Sequence, residues 1–187
     1  MSRSRARIAK PKPRLSLEVQ YGVAPARLPP PATLRRWAKE ATERDAAVTL
    51  RFVGKREGQT LNSLYRGRQY PTNVLAFAYD EDPRIGETKA RRGTRPRVGT
   101  RPATGDIVLC APVVRHEART QGKKLADHCA HLVVHGMLHL QGYDHDTTRA
   151  ACVMEARETA LLARLGVSDP YAAKPPTRRQ AWTQQRR

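Results

Sequence analysis

Apolar and polar residues alternate along Leu15–Gly22 (LSLEVQYG), the two-residue period of a strand with one buried face. Three prolines, Pro29, Pro30 and Pro31, then lead into a helix over about Ala32–Arg44, with Leu34, Trp37, Ala38 and Ala41 as its buried stripe. Ala47–Val53 (AVTLRFV) reads as a second strand, ended by Gly54. A short helix over Thr60–Arg66 follows, with Leu61, Leu64 and Tyr65 facing inward and Gly67 as its stop. Thr72–Tyr79 (TNVLAFAY) is a third strand. Gly105–Ala111 (GDIVLCA) is a fourth, apolar enough to lie centrally in a sheet. Pro112 opens a helix to about Gln121, since proline suits a first turn. A long apolar helix covers Lys124–Gln141 and stops at Gly142. Thr147 or Thr148 caps a last helix through Leu165, with Gly166 beyond it. No repeat appears. The interleaving predicts a single α+β domain: a small mixed sheet of about four strands with about five helices.

Charge changes this picture. The 187 residues carry a formal net charge of +18, concentrated in three stretches. Residues 1–14, 84–104 and 174–187 hold 18 of the 35 basic residues and one acid, Glu87. The rest of the chain, with 17 basic and 16 acidic residues, is nearly neutral. The expected organisation is a basic disordered arm (1–14), a neutral domain (15–172) with a basic loop insert (84–104), and a basic disordered tail (173–187). Basic arms on a neutral body point to a polyanion, nucleic acid above all, rather than to solubility alone. No apolar run approaches the ~18 residues of a membrane span. The basic start lacks the apolar stretch of a secretory signal. A cytoplasmic protein without membrane partners is expected. Cys110, Cys129 and Cys152 are odd in number and form no CxxC pair, so they read as buried thiols.

The candidate chemistry sits in His135-Gly-Met-Leu-His139-Leu-Gln-Gly142-Tyr-Asp-His145. Histidines four apart share one helix face, close enough for both to reach one ion at about 2.0–2.1 Å. Gly142 permits a sharp turn that returns His145 to the same ion. Three neutral nitrogens leave a fourth position for water, the arrangement of a catalytic zinc. His131, one turn before His135, reads as a supporting or core residue; a fourth histidine ligand would close the site. Asp144, or Asp146, is placed to accept a hydrogen bond from a ligand imidazole. His116 and His128 read as surface or supporting residues. The spacing is that of the metzincin proteases with one departure: Gly136 stands where they carry the general-base glutamate. A phosphodiester substrate fits the basic arms better.

Residues 15–172 resemble the YbeY family of bacterial endoribonucleases, the rRNA maturation factors. The landmarks, in order, are LNSLYRG (Leu61–Gly67), PTNVLAF (Pro71–Phe77), GDIVLC (Gly105–Cys110), HLVVHGMLHLQGYDHD (His131–Asp146) and LGVSDPY (Leu165–Tyr171). The resemblance implies a single-strand-specific, metal-dependent endoribonuclease acting in 16S rRNA 3′-end maturation and ribosome quality control. It implies one Zn(2+) per chain, held by His135, His139 and His145. It implies as partners single-stranded RNA, the 16S rRNA precursor and the small ribosomal subunit, with the Era GTPase and small-subunit proteins as further candidates. Arg66 matches an arginine regarded as essential in the family, and a guanidinium can grip two phosphate oxygens at once. Thr72 and Asn73 are candidates to orient Arg66 or the substrate, or to bond within the turn. Ala76 departs from the serine common in the family, and the insert 84–104 is unusually long and basic. The alternative is a ribosome assembly factor whose zinc is structural and closed by His131, Asp144 or Asp146; a metalloprotease is a distant third.

Overall fold

The computed structural model describes residues 12–79 and 102–172. The expected basic arm, insert and tail lie outside the described residues, apart from their ends at 12–14, 102–104 and the tail's approach at 172. The elements run β1 (Leu15–Tyr21), α1 (Pro31–Glu40), β2 (Ala46–Val53), α2 (Lys55–Arg66), β3 (Val74–Ala78), β4 (Ala103–Cys110), α3 (Ala111–Thr120), α4 (Leu125–Leu140) and α5 (Thr148–Arg164). The sheet is four-stranded and mixed, in the order β1-β2-β4-β3. β1 pairs parallel with β2 and β2 parallel with β4, while β3 runs antiparallel along β4 at the edge. The apolar β4 is internal, as its composition predicts. It also begins earlier than expected: Ala103 and Thr104, read as the end of the insert, pair with Ala46 and Ala47.

Alternation along the strands divides the sheet into two faces. Leu17, Val48, Leu50, Phe52, Ile107 and Leu109 look into the main core, with α1, α4 and α5. Val53, Leu75, Val108 and Cys110 form a smaller core on the other side, against Leu61 of α2. Burying each such Leu, Ile, Val or Phe is worth about 1.5–3 kcal/mol, so the main core dominates the stability. α4 lies centrally and contacts α1, α3, α5, β3 and β4. Its apolar residues therefore face nearly every direction, and ten of its sixteen residues are buried.

Four local expectations need correction. α1 ends at Glu40 rather than near Arg44, because buried Gln141 takes over its end: Gln141 Nε2 donates to the Ala41 carbonyl at 2.8 Å, and Glu43 N–H donates to Gln141 Oε1 at 2.6 Å. α2 starts at Lys55, well before Thr60. Its polar first turn faces solvent, and Gly58 packs where a Cβ would stand 3.0 Å from Cys110 Sγ. Leu64 and Tyr65, expected inward, are 71% and 61% exposed; Leu64 faces solvent, and Tyr65 lies against Phe77 of edge strand β3 with most of its surface still open. Among the cysteines, Cys110 and Cys129 are buried free thiols, but Cys152 is exposed on α5. No described helix is long and apolar enough to cross a membrane.

Candidate metal centre

Four histidines of α4, His128, His131, His135 and His139, follow one another at three- and four-residue steps and so form a stripe along one face of the helix. His135 and His139 stand one turn apart, with ring centroids 4.5 Å apart. Past the end of α4 the chain reverses through Gly142, whose φ of 91° is a conformation that residues with a Cβ resist. Gly142 N–H and Tyr143 N–H donate to the His139 and Leu138 carbonyls at 2.9 and 3.1 Å and close the turn. This brings the His145 ring to 5.0 Å from His139 and 5.8 Å from His135. One ring nitrogen from each of the three lies within 4.8 Å of the others, close enough to hold one metal ion.

The hydrogen bonds fix which nitrogens face inward. His139 Nδ1 lies 3.1 Å from the Tyr143 carbonyl, which can only accept, so Nδ1 carries the proton. His135 Nδ1 lies 2.8 Å from Glu158 Oε1 and donates to that carboxylate. When both imidazoles are neutral, as metal ligands are, their Nε2 atoms present lone pairs 3.1 Å apart. Two lone pairs at that separation repel unless they share a cation. Burial, and then the neighbouring charges of His135 and His145, push the His139 pKa down to about 4. It is neutral at pH 7, the state in which an imidazole binds a metal. The donor set thus fits a divalent ion of zinc's preferences.

Glu158 is the residue that sequence reasoning missed. It is fully buried in α5 and accepts from His135 Nδ1, from His131 Nε2 at 3.0 Å and from the Tyr171 hydroxyl. Burial alone raises a carboxyl pKa, but these three donors outweigh it and hold Glu158 at about 2. Tyr171 is shifted upward by burial and by the same carboxylate. A signal was present in the chain: Met154, Leu161 and Leu162 form the buried stripe of α5, and Glu158 interrupts it with a charge. Such a carboxylate orients a ligand imidazole and raises its basicity. Glu158→Gln should therefore keep the fold but weaken zinc binding by about 10- to 100-fold. Competition against a chromophoric chelator checks this, and wild-type affinity would reduce Glu158 to a core residue.

The remaining candidates fall as follows. His131 is bound to Glu158 rather than aimed at the three-histidine cluster. Asp144 accepts through Oδ1 from its neighbours' backbone, His145 N–H at 2.6 Å and Asp146 N–H at 3.3 Å, and so shapes the turn that carries His145. Asp146 is exposed. His128 is buried and paired with Glu117 at 2.8 Å, while His116 is exposed on α3. Asn73 donates to Glu117 and accepts from Val74 N–H at 2.7 Å, and Thr72 donates to Asn73 Oδ1. Their polar atoms hold the entry to β3. Arg66 ends α2, exposed, and no carboxylate pairs with it among the described residues. It belongs to the opposite side of the sheet from α4, with edge strand β3 between them: Val74 and Ala76 pack toward α4, Leu75 and Phe77 toward α2.

Gly136 has a packing reason. A Cβ there would meet Ile107 Cγ2 of β4 at 2.9 Å, so the backbone of α4 lies directly on the sheet. A glutamate side chain at this position, the base of a metzincin, has no room.

The profile of the family described as endoribonuclease YbeY matches residues 32–166. An endoribonuclease YbeY from Alkalilimnicola ehrlichii is 50% identical over 165 residues, covering 85% of this chain and 92% of that protein. Endoribonuclease YbeY from Aromatoleum aromaticum is 48% identical over 162 residues, covering 85% and 94%. That from Nitrosospira multiformis is 49% identical over 173 residues, covering 89% and 87%. With the family profile spanning three of the four strands, α4 and the whole histidine cluster, this chain belongs to the YbeY family of endoribonucleases.

Proposed function

We propose that this protein is a zinc-dependent endoribonuclease that cuts single-stranded RNA, acting in the cytoplasm on the 16S rRNA precursor during 3′-end maturation and ribosome quality control. The observation that carries this reading is the convergence of three histidine nitrogens beside a glycine that leaves no room for a protease's base. His135, His139 and His145 hold the ion, Glu158 and the Tyr143 carbonyl hold two of the rings in register, and Arg66 supplies positive charge to the phosphate. Bound zinc supplies Lewis acidity: it lowers the pKa of water toward ~7 and polarises a phosphoryl oxygen. An RNA strand laid across the β3 edge meets the histidines on one side and Arg66 on the other. The direct test is cleavage of a defined single-stranded RNA by zinc-loaded protein beside an EDTA-treated sample, with product ends identified. Equal cleavage in both samples would rule out metal dependence.

A non-catalytic assembly factor with a structural zinc is the second reading. It needs a fourth protein ligand. His131 is bound to Glu158, which favours an open fourth position, while the Asp144 and Asp146 carboxylates, within 4.8 Å of a His145 nitrogen, are the ligands this second reading would use.

The basic arms give a separate prediction. Residues 1–11 and 174–187 carry nine Lys and Arg and no acid. Arg14 is kept, because its backbone pairs with Asp45 and Ala46 at the start of the sheet. Each phosphate contact to single strands contributes about −0.7 to the log–log salt slope. Removing both arms should flatten that slope and raise KM for RNA. It should leave kcat nearly unchanged, since the arms bind ground and transition states alike. Cleavage kinetics at two salt concentrations check this; an unchanged slope and KM would mean that the arms do not touch RNA.

A further inference from the structure

Six large apolar side chains are exposed among the described residues, and four of them, Leu64, Tyr65, Tyr70 and Tyr79, fall between positions 64 and 79. The three tyrosines are 61%, 57% and 63% exposed. They are not loosely placed. The Tyr65 ring packs on Phe77 of β3 with centroids 4.7 Å apart. Tyr79 donates its hydroxyl to Asp106 of β4. Tyr70 stands on a loop clamped to α2: Asn62, itself 2% exposed, donates to the Tyr70 carbonyl at 2.6 Å, and Gln59 donates to the Gln69 carbonyl at 2.9 Å. The fold thus uses a buried amide to hold a stretch of backbone whose aromatic ring faces water.

Charge says what covers this surface. Residues 58–78 contain no acid, and Arg66 and Arg68 are exposed in the same stretch as Tyr65 and Tyr70; Tyr79 is the acidic margin, bonded to Asp106 and followed by Asp80, Glu81 and Asp82 in the sequence. Exposed rings interleaved with arginines match single-stranded nucleic acid, whose bases stack on aromatic faces while its phosphates meet guanidinium groups. A protein partner of this surface would have to be acidic, whereas single-stranded nucleic acid engages the rings and the guanidinium groups with one ligand. The surface is also continuous with β3, whose other side packs against the helix of the histidines.

We infer that Tyr65 and Tyr70, with Arg68, form a base-stacking platform that holds the single-stranded RNA leading to the cleavage site. This rests on the RNA-cleaving reading above and adds to it a subsite that reads the π-face of bases rather than their sequence.

The test uses the full-length protein and a single-stranded oligonucleotide carrying 2-aminopurine, whose fluorescence falls when it stacks. An abasic oligomer of equal length is the control. Tyr65→Ala and Tyr70→Ala should each weaken binding of the base-containing strand by about 5- to 100-fold, and should reduce the quenching. Tyr65→Phe and Tyr70→Phe should retain both, since the ring and not the hydroxyl stacks. The abasic strand should bind all variants alike, through phosphate contacts. Wild-type affinity and quenching in both alanine variants would overturn the platform while RNA cleavage itself stood. So would equal losses for base-containing and abasic strands, and so would normal RNA binding by alanine variants that fail to retain an acidic protein partner. A wild-type protein that neither binds nor cuts single-stranded RNA would remove the cleavage reading along with it.

Discussion

Replacing His139 with alanine is expected to abolish both zinc retention and RNA cleavage. Its Nε2 lies 3.1 Å from that of His135, and its Nδ1–H is fixed by the Tyr143 carbonyl, so it is the middle member of the cluster. Without it, His135 and His145 remain as two nitrogens on separate segments, one on α4 and one on an exposed turn. Two ligands hold zinc far less tightly than three, because each ligand adds bond enthalpy at a site already ordered by the others. His135→Ala and His145→Ala should also lower the zinc stoichiometry below one per chain. His116→Ala should not, since His116 is exposed on α3 and outside the cluster. Metal analysis after gel filtration, alongside single-turnover cleavage, reads both quantities. Full zinc occupancy in His145→Ala would sink the three-ligand centre. Loss of zinc with unchanged cleavage would make the metal structural.

Arg66→Ala should keep fold and zinc but lower kcat by about 10²–10³-fold, the usual cost of removing one group that stabilises transition-state charge. A bland role competes with this one: Arg66 is the basic residue in the last turn of α2, where a cation favours the helix dipole by about 0.3–1 kcal/mol. The two roles separate in Arg66→Lys. Lysine keeps the charge at the helix end and should restore stability in full. It lacks the planar two-pronged grip on phosphate and should restore cleavage only in part. Thermal melts and cleavage kinetics on the same three proteins decide the matter. Wild-type kcat in Arg66→Ala would leave the arginine as a surface residue.

Much of the fold was legible because hydrophobic period is a local property. The alternation of LSLEVQYG, the apolar run of GDIVLC and the stripe Leu34–Trp37–Ala38–Ala41 each mark an element from neighbours in the chain, and those elements are present. The histidine cluster was legible for the same reason: four residues make one helical turn, and Gly142 sits where the chain must reverse. What failed to show was set by distant partners. Gln141 ends α1 from a hundred residues away, and no residue near Glu40 announces it. Leu64 and Tyr65 have an inward-facing spacing, yet the sheet ends at β3, so Tyr65 covers only Phe77 at its edge and Leu64 is left in water.

The sequence by itself therefore determined the element types, the histidine spacing and the uneven distribution of charge, since each depends on residues a few positions apart. Only the tertiary structure decided what those residues face. It placed Glu158 of α5 against His131 and His135 of α4, and so fixed the His135 tautomer, because a buried carboxylate must find donors wherever the fold provides them. It laid Gly136 against Ile107, turning an apparent gap in a protease motif into a packing requirement. And it put Arg66 and the histidines on opposite sides of one edge strand, a relation that follows from sheet order, which no local pattern encodes.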